Sequence, residues 1–425
     1  MSQTYSGTVS KMAFGGEGIV KDNSFVTFIP FAAVGDTLIY SHTQEKKSFA
    51  KGQILAIDTP SAERVIPKCP YFGSCGGCQL QHIGYTHQLA YKKQWIEEAL
   101  TRQAKLKCAV PDVIPSSDQW HYRRKIVLTL RPFGNHYKVG YFRAEAPSII
   151  EVKQCPIFTS QSDPILSEVQ AIVSQLSPTD ASDAKLHILK SDHYLLYFHF
   201  KHLPKNGESI FRQAKERLSC IGGIIAKAQG HTIKIGSCEA SFEMEDLDFR
   251  FSADAFIQNN KGLSLKLYGD VAALALQLQP SKALDLYSGV GALTLLLAKR
   301  VSRSKIVGVE ANQEATQYAV QNAAQNKLEN ATFLNAYVEK VINDLLKNGQ
   351  DLVIVNPPRE GLDQRVIDAI IKSPPKTLIY ISCMPSTLAR DLQRLSSQPY
   401  QVLQVQGYDM FPQTTHVETV VAIQF

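Results

Sequence analysis

The chain has 425 residues, more than one hydrophobic core usually serves, and its 44% hydrophobic and 20% charged content is that of a soluble globular protein of about two to four domains. No uncharged apolar run is long enough to cross a bilayer, which excludes a helical membrane protein; the formal charge of +6 is compatible with a polyanionic partner without demanding one. Met1 to Gly7 lacks the basic region and apolar core of a signal peptide, so the eight cysteines are expected as cytoplasmic thiols available for metal or chemistry.

From residue 1 to about 60, short alternating runs (Ser6 to Val9, Gly18 to Lys21, Phe25 to Ile29, Asp36 to Tyr40, Gly52 to Asp58) are broken at Gly15-Gly16, Asp22-Asn23 and Gly35-Asp36. Strands at this spacing predict a small all-β barrel. Phe14-Gly-Gly-Glu-Gly-Ile-Val20, Phe28-Ile-Pro-Phe31 and Gly35-Asp36 resemble the TRAM module, an OB-like barrel found on RNA-modifying enzymes. On that resemblance Lys46, Lys47 and Lys51 would face a phosphate backbone; without it they are a solvated charged face.

A central α+β region, 61–251, follows. Cys69-Pro-Tyr-Phe-Gly-Ser-Cys75-Gly-Gly-Cys78 crowds three thiols into a glycine-rich loop, and Cys155, followed by Pro156, is the candidate fourth. Four thiolates can hold tetrahedral zinc or an iron–sulfur cluster, and spacing alone does not choose. Unligated thiols so clustered would oxidise readily, which favours a metal; Cys108, Cys220 and Cys238 stand isolated. Tyr85 to Gln103 carries an apolar stripe (Leu89, Trp95, Ile96, Leu100) and predicts an amphipathic helix between the cysteines. Trp120-His-Tyr-Arg-Arg-Lys125 joins cations to aromatics, as phosphate contact and base stacking need, although a surface strand edge uses the same residues. Strands are expected at Leu186 to Leu189 and Tyr194 to Phe200, with no chemistry visible around them.

Residues 252–425 alternate strands and helices. Lys282 to Ala298 reads as strand, glycine turn and helix, with Gly289 and Gly291 letting the backbone approach a ligand. The next strand ends in Glu310, placed for a ribose diol; Leu293-Thr294 stands where a dinucleotide fingerprint has its third glycine, and Asp285 suits S-adenosylmethionine better than NAD. Thr377 to Ile381 predicts a buried strand that delivers Cys383 to the carboxyl edge, with Ser386 or Thr387 capping a helix from near Leu388. A helix N-terminus there would favour the nucleophilic thiolate. Gln401 to Tyr408 and Val417 to Phe425 predict a final hairpin with a short connection, the expected finish of a Rossmann-like class I methyltransferase sheet.

Taken together, Phe256-x-Gln258-x-Asn260, Asp285-Leu-Tyr-Ser-Gly-Val-Gly, Asn356-Pro-Pro-Arg-x-Gly361, Ser382-Cys383-x-Pro385-x-Thr-Leu-Ala-Arg-Asp391 and His416-Val-Glu418-Thr-Val resemble the RNA uracil-C5 methyltransferases. The barrel and the Cys69, Cys75, Cys78 and Cys155 set resemble the ribosomal-RNA branch, with its TRAM domain and [4Fe-4S] cluster, more than the bacterial tRNA branch. The resemblance implies S-adenosylmethionine contacts by Gln258, Tyr287, Glu310 and Asn356, Cys383 as nucleophile, Glu418 as base, 23S ribosomal RNA as partner and a monomeric enzyme. Two positions depart from the family pattern: Asn356 stands where Asp is common, and Met384 where Asn is common.

The chemistry accounts for that pairing. C5 of uracil takes a methyl group only after a thiolate adds at C6, and a base must then remove the C5 proton. By position alone, Glu418 could equally be a surface carboxylate opening the last strand. Two other functions would share parts of the pattern. An amino-group methyltransferase would use Asn356-Pro-Pro, but needs an aromatic where Arg359 stands and has no use for Cys383; an RNA-binding assembly factor without catalysis would not need Cys383, Glu418, Asp285 and Glu310 together.

Overall fold

Alternating strands punctuated by turn glycines close into a barrel in this computed structural model, which describes residues 3–22, 25–253 and 255–425; Met1 and the expected break at Asn23 lie outside them. Strands β1 (Thr4–Met12), β2 (Gly18–Asp22), β3 (Phe25–Ile29), β4 (Thr37–Glu45) and β5 (Phe49–Thr59) close in the order β1-β2-β3-β5-β4. Val9, Val20, Ile29 and Leu38 fill the interior. The turn before β4 needs Gly35, at φ +92°, and Asp36 locks it. Asp36 accepts the amides of Ala33 and Ser61 and a forked pair of bonds from Arg64 at 2.8 and 2.7 Å. Burial alone would raise this carboxyl, but those donors hold it below the usual carboxylate range.

Helix α1 (Tyr85–Arg102) follows the first three cysteines. The central sheet comprises β6 (Lys125–Phe133), β7 (His136–Phe142), β8 (Ile149–Ile150), β9 (Ala184–Lys190), β10 (Tyr194–His199), β11 (Ile221–Ala228) and β12 (His231–Gly236), in the order β12-β11-β10-β9-β6-β7-β8. Helices α2 (Ile165–Val173) and α3 (Gly207–Arg217) bury Ile165, Val169, Ile172 and Phe211 in its core. A hairpin, β13 (Glu239–Met244) and β14 (Leu247–Ser252), leads onward.

The last part is a seven-stranded sheet with helices on both faces. In chain order come α4 (Lys261–Leu278), β15 (Lys282–Leu286), α5 (Ala292–Arg300), β16 (Lys305–Glu310), α6 (Gln313–Gln325), β17 (Ala331–Asn335) and α7 (Val338–Leu346). Then follow β18 (Leu352–Val355), α8 (Gln364–Lys372), β19 (Thr377–Ser382), α9 (Pro385–Leu395), β20 (Gln401–Tyr408) and β21 (Glu418–Gln424), and the sheet order is β17-β16-β15-β18-β19-β21-β20. Leu352 to Val355 is buried throughout because a central parallel strand meets helices on both sides: Val353 and Val355 pack with α8 and α9, Leu352 and Ile354 with α4 and α5. Among the described residues no helix is long and apolar enough to cross a membrane.

One local expectation is corrected. Helix α9 begins at Pro385, not near Leu388, and neither Ser386 nor Thr387 caps it; Met384 holds the cap position without a side-chain bond. Proline's fixed φ suits the first helical residue, so the helix starts there unaided. Helix α1 packs onto this last sheet, with Ile96 and Leu100 buried beside Leu392 and Val405. The final two strands pair as expected, and their connection, residues 409–417, forms a strap laid across α1. Lys92 pairs with Asp409 at 2.5 Å, both side chains wholly buried, and bonds the Phe411 carbonyl. Tyr122 donates to the Pro412 carbonyl, the amide of Gln413 donates to Gln88, and the amides of Gln79 and Leu80 donate to the Gln413 carbonyl.

Candidate active site

Strand order reverses between β15 and β18, and ligands of open α/β sheets bind outside the strand ends at such a point. A cavity of about 530 Å³ lies there, and Gln258, Tyr287, Glu310, Asn356, Cys383 and Glu418 all line it. Five arrive from different strand ends, Tyr287 after β15, Glu310 closing β16, Asn356 after β18, Cys383 after β19 and Glu418 opening β21, while Gln258 comes from the segment leading into α4.

The register explains the meeting of the last two. Strand β21 runs antiparallel to β19 and pairs Ser382 with Thr419, so the residues one step toward the carboxyl edge, Cys383 and Glu418, fall side by side. Glu418 is only 3% exposed, and burial, opposed by Arg359, pushes its carboxyl up to about 7. The Cys383 thiol is also pushed up, to about 11, by burial first and by Glu418 next, with Arg359 pulling the other way. This corrects the expected thiolate. The helix start is present, but Pro385 brings no N–H to it, and desolvation beside a carboxylate outweighs the helix dipole.

The turn over β15 is the most contorted backbone of the site. Tyr287 takes φ +67°, rare for a bulky side chain, while Gly289 and Gly291 take +57° and +83°. A Cβ on Gly291 would sit 2.8 Å from the Phe333 ring, so only glycine lets the turn close on β17. Glu310 accepts the amides of Gly289 at 3.0 Å and Asn312 at 2.7 Å. Asp285, bonded by Thr294 at 2.6 Å, is pushed up to about 7 by burial, with Glu310 adding to the rise.

Several residues of the site stand inside the quoted motifs without a role read from them. Arg359, the fourth residue of Asn356-Pro-Pro-Arg, reaches His416 at 3.0 Å with its guanidinium and influences both Cys383 and Glu418. His416, pushed down to about 4 chiefly by burial, is neutral there. The loop bearing Arg359 is held from behind by Asp391, which accepts the Leu362 amide and the Tyr380 hydroxyl, each at 2.8 Å, while Arg390 donates to the Glu360 carbonyl. Gly361, at φ +82°, leaves room for this, since a Cβ would lie 2.4 Å from Asp391. Phe256, 71% exposed, stands at the rim, and Phe242 meets Arg124 face-on at 4.9 Å. Met384 is not among the lining residues.

Cys69, Cys75, Cys78 and Cys155 line a separate cavity of about 40 Å³ with Tyr71, Tyr141 and Arg123. Burial pushes Cys78 up to about 12 and Cys155 to about 11. Among the described residues, however, no three His, Cys, Asp or Glu side chains are arranged to hold a metal ion. Cys108, Cys220 and Cys238 lie outside this cavity.

A family model described as tRNA (Uracil-5-)-methyltransferase matches residues 84–424, leaving out the barrel and the first three cysteines. An "Uncharacterized RNA methyltransferase" of Protochlamydia amoebophila is 40% identical over 422 residues, covering 98% of this chain and 97% of that one. Another so named, from Clostridium tetani, is 30% identical over 449 residues, covering 100% and 97%. The solved Pyrococcus abyssi tRNA (uracil-54, C5)-methyltransferase, in complex with S-adenosyl-L-homocysteine, shares the fold at a TM-score of 0.75, with 24% identity and coverage of 99% and 100%. The chain belongs to the tRNA (uracil-5-)-methyltransferase family and is an S-adenosylmethionine-dependent RNA methyltransferase of the uracil-5 type.

Proposed function

We propose that the enzyme methylates C5 of a uridine in ribosomal RNA through a transient bond between Cys383 and C6 of the ring. The observation that carries this reading is the adjacency of Cys383 and Glu418 on one cavity wall, fixed by the pairing of β19 with β21. S-adenosylmethionine, when bound, supplies an electrophilic methyl group. Gln258, Tyr287, Glu310 and Asn356 are the residues that would hold it; two amide bonds leave the Glu310 carboxylate with lone pairs for ribose hydroxyls.

Cys383 starts as a thiol and must shed its proton to solvent, a step that Arg359 favours by its charge. The thiolate adds to C6, and the displaced electron pair makes C5 the nucleophile for the methyl group. Glu418, ionised in about half the molecules near neutrality, then takes the C5 proton as the C6–S bond breaks. The proton returns from Glu418 to the Cys383 thiolate, so one proton is released per methyl group transferred.

The test is covalent trapping. A fluorine at C5 cannot leave as a proton does, so ribosomal RNA carrying 5-fluorouridine should form an adduct that survives denaturing electrophoresis and is absent in Cys383→Ala. No adduct with the wild type, or an equal yield in the variant, overturns the reading. Transfer RNA is the second reading, favoured by the family model's description; trapping with transfer RNA but not ribosomal RNA would select it.

The four clustered cysteines are proposed to hold a [4Fe-4S] cluster, with zinc as the alternative. All four line one cavity, which brings Cys155 to the loop that carries the other three, and four thiolates can hold either group. Such a cluster would supply a structural tie between the Cys69–Cys78 loop and Cys155. Protein purified without air should be brown and contain iron and sulfide; colourless protein with zinc selects the alternative. The closed five-stranded barrel, with Lys46, Lys47 and Lys51 all exposed, is proposed as a TRAM-like RNA contact.

A further inference from the structure

We propose that a second cavity holds the ribonucleotide flanking the target uridine, with Lys190 and Lys261 on its phosphate and Thr159 bonded to its polar edge. This rests on the RNA-methylating reading above and adds a separate binding site to it. The cavity measures about 500 Å³ and lies beside the reaction cavity; Arg123, Arg124, Phe242 and Lys261 line both. Two compartments that share a wall can receive successive nucleotides of one strand.

The lining has the chemistry a nucleotide needs. Arg123, Arg124, Lys190 and Lys261 are four permanent cations, set against only two carboxylates, Asp118 and Asp192. Neither carboxylate neutralises them, and Arg123, Arg124 and Lys261 enter no salt bridge among the described residues. The Lys190 ammonium is 3.6 Å from Asp163, too long for a tight pair. Phe242, half-buried on the shared wall, is the one partly exposed ring among the Phe and Tyr side chains that line the cavity.

A general basic surface would need nothing more, but this cavity also has an unpaired polar group. Thr159 is 1% exposed, and its hydroxyl has no hydrogen-bond partner. The Nε of Arg123, on the shared wall, is likewise buried without one. Arg123 also lines the cysteine cavity, whereas Thr159 lines this one alone; buried polar groups are normally paired, so the Thr159 orphan points to an absent ligand with a polar atom at that place.

The test uses fluorescein-labelled hexauridylate, read by fluorescence anisotropy with S-adenosylhomocysteine present. Lys190→Ala with Lys261→Ala should weaken binding at least about fivefold and flatten the plot of log K against log salt by about 0.7, since both act on one phosphate and each phosphate neutralised on single-stranded RNA contributes about 0.7. Thr159→Val, which changes no charge, should weaken binding about threefold or more with the salt slope unchanged, as loss of one hydrogen bond requires. S-adenosylhomocysteine affinity should stay as in the wild type for all three substitutions. Unchanged hexauridylate binding in either variant overturns the proposal, as does a parallel loss of S-adenosylhomocysteine, which would assign the cavity to the cofactor. A circular-dichroism melt checks that Thr159→Val still folds, and Thr159→Ser, which keeps the hydroxyl, should restore binding. Because no turnover is read, failure of 5-fluorouridine trapping with intact hexamer binding would count against the reaction alone.

Discussion

Replacing Glu418 with Gln should abolish efficient turnover and yet stabilise the protein in alkaline solution. On folding, the carboxyl rises from its ordinary 4.5 to about 7, so the folded state holds a proton that the unfolded chain gives up. Below pH 4.5 both states are protonated and there is no penalty. Between 4.5 and 7 the penalty grows, and above 7 it is complete, at about 3 kcal/mol from about 1.4 kcal/mol per pH unit. Glutamine never ionises, so Glu418→Gln should unfold at a higher temperature than the wild type at pH 8, with most of the gain gone at pH 5. Asp285, also raised to about 7, titrates equally in both proteins and cancels. Methyl transfer from labelled S-adenosylmethionine should fall about 10²- to 10⁴-fold, the usual worth of a general base, with the covalent RNA adduct accumulating. Thermal melts at both pH values are the companion assay. A stability difference that is the same at pH 5 and pH 8 would refute the burial argument, and turnover within tenfold of the wild type would remove Glu418 as the base.

Wild-type turnover should rise with pH through about 7 as Glu418 ionises, and a rate flat from pH 6 to 8 in single-turnover assays would contradict that role. Gly361→Ala forces a Cβ against Asp391 at a positive φ, so it should cost about 1–3 kcal/mol in a denaturant melt and slow turnover through the Arg359 loop. Lys92→Met leaves Asp409 buried and unpaired, a loss of about 3–5 kcal/mol, while Lys92→Met with Asp409→Asn should recover much of it; equal stabilities of the two variants would reject the pairing. Asn356→Asp adds a negative charge to the cavity wall and, on the proposed cofactor contact, should tighten S-adenosylmethionine binding in isothermal titration, with no change counting against that contact.

What could be read from the residues follows from what is local. The carboxyl ends of β15, β16 and β19 were legible because a glycine turn, a terminal acid and a proline break each mark a strand end within a few residues. The nearness of Cys383 and Glu418 was not, because 34 residues intervene and only the antiparallel register of β21 unites them. The thiolate expectation failed for a related reason: the helix start is local, whereas desolvation depends on what other segments lay over the sulfur. Phe242 and Thr159 line their cavities through tertiary neighbours alone, and no periodicity or motif could have announced the unpaired hydroxyl of Thr159. Helix α1 showed its stripe plainly, but a stripe does not say which sheet it will cover.

The strap across α1 has a consequence for how the enzyme comes into being. Its anchors, Gln79, Leu80, Gln88, Lys92 and Tyr122, emerge from the ribosome roughly 300 residues before the segment they grip. The nascent chain must therefore keep a berth open until residues 409–417 have been made, and Glu418 follows them directly. A fragment starting at residue 252 would lack that berth and leave α9 and β20 bare where α1 lies in the whole chain.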